Sequence, residues 1–162
     1  MTATTERTDE HFVNDLLTMH RQDRGEDRAR LARLKRGFSR REPDYSLLRD
    51  LPALPDGVQD IERYLLIASL FALHPGTGNA PGKALKALRD DLSAGAESLD
   101  LRFAALLNST REDLPYRLRQ LVQMLKSKEI PLSYHHLLRD LRFWNDPDRT
   151  VQRTWARAYY GR

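Results

Sequence analysis

The stretch VQDIERYLLIASLFAL, residues 58–73, decides the fold. After its first turn it is apolar almost all round, which marks a helix covered by neighbours on every side and not a surface helix with one buried stripe. Such a helix needs amphipathic partners, and the flanking sequence supplies them. Upstream, Phe12, Leu16 and Met19 with Val13 and Leu17 form a short amphipathic helix entered at Thr8 or Asp9. Leu31, Leu34 and Phe38 lie on a narrow stripe that predicts a second helix from about Asp27 to Arg40. Pro43, Pro52 and Pro55 punctuate the connection, with a short helical turn at Leu47 and Leu48.

Downstream, HPGTGNAPG (74–82) is a Gly/Pro loop that breaks the helical course, and a helix follows from about Lys83 to Leu92. Ser98 is the expected N-cap of a helix over Leu99 to Leu107. Leu114, Leu118, Leu121, Val122 and Leu125 mark the cleanest amphipathic helix, whose polar side carries Arg117, Gln120, Gln123, Lys126 and Lys128. Ser133 caps the next, with Leu137, Leu138 and Leu141 inside, and Asp146-Pro147 offers an N-cap and a proline at N1 for the last. There Val151, Trp155 and Tyr159 recur at helical spacing. No segment alternates in the manner of a strand. The expectation is an all-α bundle of about seven to nine helices forming one domain over residues 1–162, with residues 1–8 flexible.

Composition narrows the chemistry. With 162 residues, 40% of them apolar, the chain can bury a core of its own. The absence of cysteine excludes disulfides, thiolate metal sites and a cysteine nucleophile. No run approaches the ~20 apolar residues of a membrane span, and the polar Met1–Glu10 stretch does not read as a secretion signal, so a soluble cytoplasmic protein is expected.

The net charge of +4 hides an uneven distribution. Residues 21–41 hold nine basic side chains against Asp23, Glu26 and Asp27. Residues 102–128 hold six against Glu112 and Asp113, so the rest of the chain is net acidic. A coding bias explains 22 Arg against 5 Lys, but not clustering. Two basic segments on an acidic body point to a polyanion-binding surface.

Catalytic and cofactor motifs fail on inspection. Gly82-Lys83 opens a helix, as a phosphate-binding loop would, but Thr77 and Ala84 stand where that motif needs glycine and Ser or Thr. Gly76-Thr77-Gly78 begins a dinucleotide fingerprint, yet Pro81 replaces its last glycine and no strand precedes it. An interhelical loop is the simpler reading. His136 and Asp140 lie one helical turn apart, but two ligands do not make a metal site and the adjacent His135 points elsewhere; exposed polar residues are expected. Asp90-Asp91 reads as a solvated pair, and no serine occupies a nucleophile elbow. Neither enzyme, cofactor, metal nor small-molecule substrate is therefore expected. Trp144, Trp155, Tyr134, Tyr159 and Tyr160 are aromatics on which bases could stack; Trp155 belongs to the apolar stripe of Val151 and Tyr159 and reads as core, while Tyr160 falls off it.

The arginines carry more. On one helix Arg33, Arg36 and Arg40 would form a single row of guanidinium groups, with Lys35 beside it. Arg102, Arg111, Arg117 and Arg119 flank one interhelical turn, and the helix from Leu114 to Lys128 contains no acid to neutralise Lys126 and Lys128. Guanidinium suits phosphate because its planar fork donates two parallel hydrogen bonds. The alternative is a helical protein-interaction adaptor whose basic faces meet acidic partners and no nucleic acid.

RARLARLKRG (28–37), YLLIASLFAL (64–73), GKAL (82–85), LRFAALLNSTREDLPYRLRQLVQMLKSK (101–128), IPLSYHHLLRDLRFW (130–144) and VQRTWARAYY (151–160) resemble, in order and spacing, the CasB family, the small subunit of the type I-E CRISPR Cascade complex. The resemblance implies an all-helical, non-enzymatic subunit that packs head to tail with a second copy of itself along a guide-RNA-loaded assembly of other Cascade subunits. It further implies that the protein braces the R-loop and offers a basic surface to the displaced single-stranded DNA. By position the implied contacts are Lys35 or Arg36, Arg102, Arg111, Arg119, Arg139 and Lys83. The chain departs from the family pattern at Gly25-Glu26-Asp27, in its Gly/Pro loop and at Asn108.

Overall fold

A computed structural model describes residues 2–38 and 42–162, with side chains from residue 9 onward. Among these residues the regular structure is helical: α1 (Thr2–Gln22), α2 (Gly25–Leu34), a 3-10 segment (Tyr45–Asp50), α3 (Ile61–Leu73), α4 (Pro81–Asp91), α5 (Ala96–Leu107), α6 (Leu114–Ser127), α7 (Tyr134–Arg142) and α8 (Thr150–Tyr160). The sole β-type pairing among them is an isolated bridge between Asn79 and Leu132. The expected all-α architecture is thus realised.

α3 is the buried axis: every residue from Arg63 to Phe71 is buried, and α2, α6 and α7 pack against it. Its first turn is shorter than expected, because Val58 hydrogen-bonds back to Pro55 in a turn that delays the helix to Ile61. Arg63, 7% exposed, lies inside this apolar cylinder, and each of its three guanidinium nitrogens donates a hydrogen bond. It donates to Asp9 Oδ2 of α1 (3.1 Å), Asp60 Oδ2 (2.7 Å) and the Leu138 carbonyl of α7 (2.6 Å). Tyr64 donates its hydroxyl to the other oxygen of Asp9. One buried cation therefore ties three helices at their crossing, in the geometry that a desolvated charge requires.

Several boundaries differ from expectation, each for a local reason. α1 begins at Thr2, ahead of Thr8–Asp9. α2 stops at Leu34 instead of reaching Arg40, because residues 35–38 tighten into turns in which Arg36 bonds to the Arg33 carbonyl and Gly37 to that of Leu34. Gly37 is buried there, and a Cβ would stand 3.1 Å from the Leu34 carbonyl oxygen and 3.3 Å from Leu47 Cδ1. Leu34 and Phe38 still enter the core, but around a turn and not along one helical face. α5 starts from Gly95 at φ 91°, not from a Ser98 cap. Asp146 caps only the turn before α8, accepting from the Asp148 amide; the helix proper begins after Arg149, at φ 52°. Ser133 caps α7 as expected, accepting from the His136 amide.

The Gly/Pro loop is stitched to the strand-like 130–133 segment. Ser133 N–H donates to the Asn79 carbonyl (2.8 Å), His74 Nε2 meets the Ile130 carbonyl oxygen (2.7 Å), and Tyr134 donates to the His74 carbonyl (2.6 Å). α4 opens with Pro81 at N1, two residues before the expected start. Gly82 then has a packing role: a Cβ on it would lie 2.8 Å from Ala158 Cβ and 2.9 Å from the Trp155 carbonyl oxygen of α8. A glycine that resembles part of a phosphate loop is instead the point where two helices cross without side chains between them.

The stacking candidates divide accordingly. Trp144, Trp155, Tyr134 and Tyr159 are buried, whereas Tyr160 is half-exposed. Trp155 Nε1 donates to Asp140 Oδ2 (2.8 Å), and the Tyr159 hydroxyl to Asp100. His135 and His136 are half-buried and hydrogen-bonded, to Asn14 Oδ1 and Ser133 Oγ, not exposed as expected. Burial lowers the His135 pKa. No helix among the described residues is long and apolar enough to cross a membrane.

Candidate nucleic-acid interface

α6 positions most of the basic side chains. Its Leu114, Leu118, Leu121, Val122 and Leu125 are buried against the core, which turns the opposite face outward. Successive residues rotate by about 100°, so the centre of that outer face falls at Tyr116, Gln120, Gln123 and Ser127. Arg119 and Lys126, seven apart, lie along one border of this uncharged ribbon. Arg117, Met124 and Lys128 lie along the other. The sequence reading placed Arg117, Lys126 and Lys128 on one polar side and Arg119 at a turn; helical geometry sorts the four into two rails.

The turn after α2 completes the first rail. Arg119 Nη1 donates to the Lys35 carbonyl oxygen at 3.0 Å, across 84 residues of sequence. The Lys35 side chain stands beside Lys126, and burial together with that neighbouring ammonium lowers the Lys126 pKa. Farther along, Phe38 and Arg111 line one small cleft with Leu114 and Pro115 at the start of α6, a cleft that Asp60, Glu62 and Arg142 also line. The early basic segment therefore runs along the side of α6, and Lys126, Lys35, Arg119 and Arg111 follow one another on it. Arg36 is exposed in the same turn.

The second rail is built with α5 and α4. Arg102 of α5 is exposed and reaches Met124 Sδ at 3.6 Å, next to the half-buried Arg117, whose Nε has no hydrogen-bond partner among the described residues. Lys128 faces Asp91 of α4 at 3.9 Å, both side chains being solvated. Among the described residues no ion pair involves Lys35, Arg36, Arg102, Arg111, Arg117, Arg119 or Lys126. At the Lys35, Arg119 and Lys126 junction, like charges held together with no ion-paired carboxylate create a local positive potential that an anion relieves.

The guanidinium row expected at Arg33, Arg36 and Arg40 does not form as one helical face. α2 ends at Leu34, Arg33 turns to the buried Asp50 in a bidentate pair (2.8 and 3.0 Å), and Arg40 lies outside the described residues. Hydrogen bonds from Arg33 hold the Asp50 carboxyl below its ordinary pKa. Arg30 donates to the Asp50 carbonyl (2.9 Å), so two arginines of that segment fasten α2 to the 3-10 turn. Lys83 is exposed on α4, which packs on α8; Arg139, on α7, is paired to Asp140 (3.3 Å). The sequence reading missed Tyr116, 61% exposed on the ribbon, although its position off the Leu114–Leu118–Leu121–Leu125 stripe was the available signal.

Comparison with known proteins agrees with this architecture. The family model for CRISPR-associated protein Cse2 matches residues 27–160. A CRISPR-associated protein Cse2 of Thermus thermophilus is 36% identical over 103 residues, which are 64% of this chain and 59% of that relative. Among solved structures, a Cse2-family CRISPR-associated protein from Thermus thermophilus superposes with a TM-score of 0.78 at 31% identity, covering 95% of this chain and 98% of the other. CasB from Thermobifida fusca superposes with a TM-score of 0.73 at 25% identity, covering 97% and 98%.

Proposed function

The chain belongs to the Cse2 family of CRISPR-associated proteins, and from that premise we propose that it is a non-catalytic structural subunit of a Cascade complex that braces the guide RNA/target DNA R-loop and holds the displaced single strand of DNA along α6. Its partners are then the other Cascade subunits, a second copy of itself and the guide RNA assembly, in the cytoplasm. The observation that carries the reading is the junction of Lys35, Arg119 and Lys126, where two basic segments far apart in sequence meet without a carboxylate. Arg36, Arg102, Arg111 and Arg117 extend that surface. The side chains would hold phosphates and strand shape, leaving sequence choice to base pairing with the guide. Lys83, exposed on α4, and Arg139, exposed on α7, would add further phosphate contacts.

The test is the salt dependence of binding to single-stranded DNA. Each phosphate contact contributes a slope of about 0.7 in log affinity against log salt, so Lys35→Ala/Lys126→Ala together should flatten it by about 1.4. Circular dichroism should remain that of the wild type, since both side chains are at the surface. An unchanged slope in a folded double variant would refute the strand-binding reading.

A further inference from the structure

Tyr116 stands out among the exposed apolar side chains because of what surrounds it. It sits in the first turn of α6, central on the outer face and 61% exposed, with Arg119 toward one border and Arg117 toward the other; Lys126 and Lys128 continue those borders about three turns on. Its hydroxyl accepts a hydrogen bond from Gln120 Nε2 at 2.9 Å, one turn ahead, which holds the ring along the helix. Glu112 and Asp113, in the turn before α6, bound the ribbon at that end with negative charge. An aromatic ring that needed only burial would have been placed on the core side, where this helix already presents five apolar residues. A restrained ring between two rows of cations matches what a single strand presents: phosphates on the outside and flat, unpaired bases between them.

We propose that Tyr116 is a stacking platform for one base of the single strand. The inference rests on the strand-binding reading above and adds to it a stated contact. The rails neutralise the backbone while the ring accepts the face of whichever base lies over it, so the contact is indifferent to sequence, as a subunit that leaves recognition to the guide requires.

The experiment compares the full chain with Tyr116→Ala and Tyr116→Trp, using labelled mixed-sequence single-stranded DNA and a matching strand of abasic sites at low salt. Loss of a stacked base should weaken Tyr116→Ala by about 5- to 140-fold on the base-bearing strand. Its salt slope should be unchanged, because no charge is removed. Tyr116→Trp should retain affinity, and on the abasic strand the wild type and Tyr116→Ala should bind alike. Equal affinity of wild type and Tyr116→Ala for the base-bearing strand would overturn the proposal, as would an equal loss on both strands. The Lys35→Ala/Lys126→Ala variant separates the two failures. If it flattens the slope while Tyr116→Ala is neutral, only stacking falls; if it does not, or if the wild type ignores the strand, both readings fall.

Discussion

The crossing of α4 and α8 allows a quantitative expectation for Gly82→Ala. The new methyl would stand 2.8 Å from Ala158 Cβ, 2.9 Å from the Trp155 carbonyl oxygen and 3.1 Å from Trp155 Cα, where ordinary contact begins at 3.4 Å. Two of those three atoms are backbone, so no rotamer change relieves the clash; the helices must separate by about 0.6 Å in a packed interior. Overpacking of this kind costs about 1–3 kcal/mol, and the propensity gain of alanine, about 1 kcal/mol in a helix interior, is largely forgone at the second position of α4. For a chain of this size each kcal/mol shifts Tm by about 2–4 °C, so Gly82→Ala should melt several degrees below the wild type. Adding Ala158→Gly removes only one of the three close atoms and should restore only part of the loss. Gly25→Ala is the control: it opens α2, has nothing within 4 Å and a φ outside the left-handed region, and should be neutral or slightly stabilising. The assay is urea or thermal unfolding followed by circular dichroism at about 222 nm. A Gly82→Ala protein as stable as wild type would refute the close-crossing argument.

Two further outcomes follow from the buried charges. Arg63→Met should destabilise by about 3–5 kcal/mol, because it leaves Asp9 buried without its cation and frees the Leu138 carbonyl; a urea midpoint within error of the wild type would show that the three-helix tie is inconsequential. Asp50 has its folded-state pKa lowered by Arg33, so its contribution to stability is present above the unfolded carboxylate value, about 3.9, and lost as pH falls through the folded one. Asp50→Asn should therefore lower the urea midpoint at neutral pH and give a shallower decline on acidification, whereas an acid limb parallel to the wild type would refute the assignment.

What could be read from residues alone is whatever depends on neighbours within a few turns. The apolar run at 58–73 announced a buried central helix, the Leu114–Leu125 stripe announced α6, and Val151, Trp155 and Tyr159 announced the inner face of α8, because helical periodicity is a local property. The Ser133 cap was legible for the same reason. Boundaries failed where a distant contact decided them: α2 yields to a turn because Gly37 packs near Leu47 and Ser69, and Gly82 is explained only by α8. The basic surface shows the same division. Clustering of arginine and lysine was visible as composition, but which cations remain available depends on partners far along the chain: Asp50 takes Arg33 out of the row, and Lys35 gains Arg119 and Lys126. Charge is carried by the residue, whereas the field it contributes to is set by three-dimensional proximity, which no one-dimensional spacing contains.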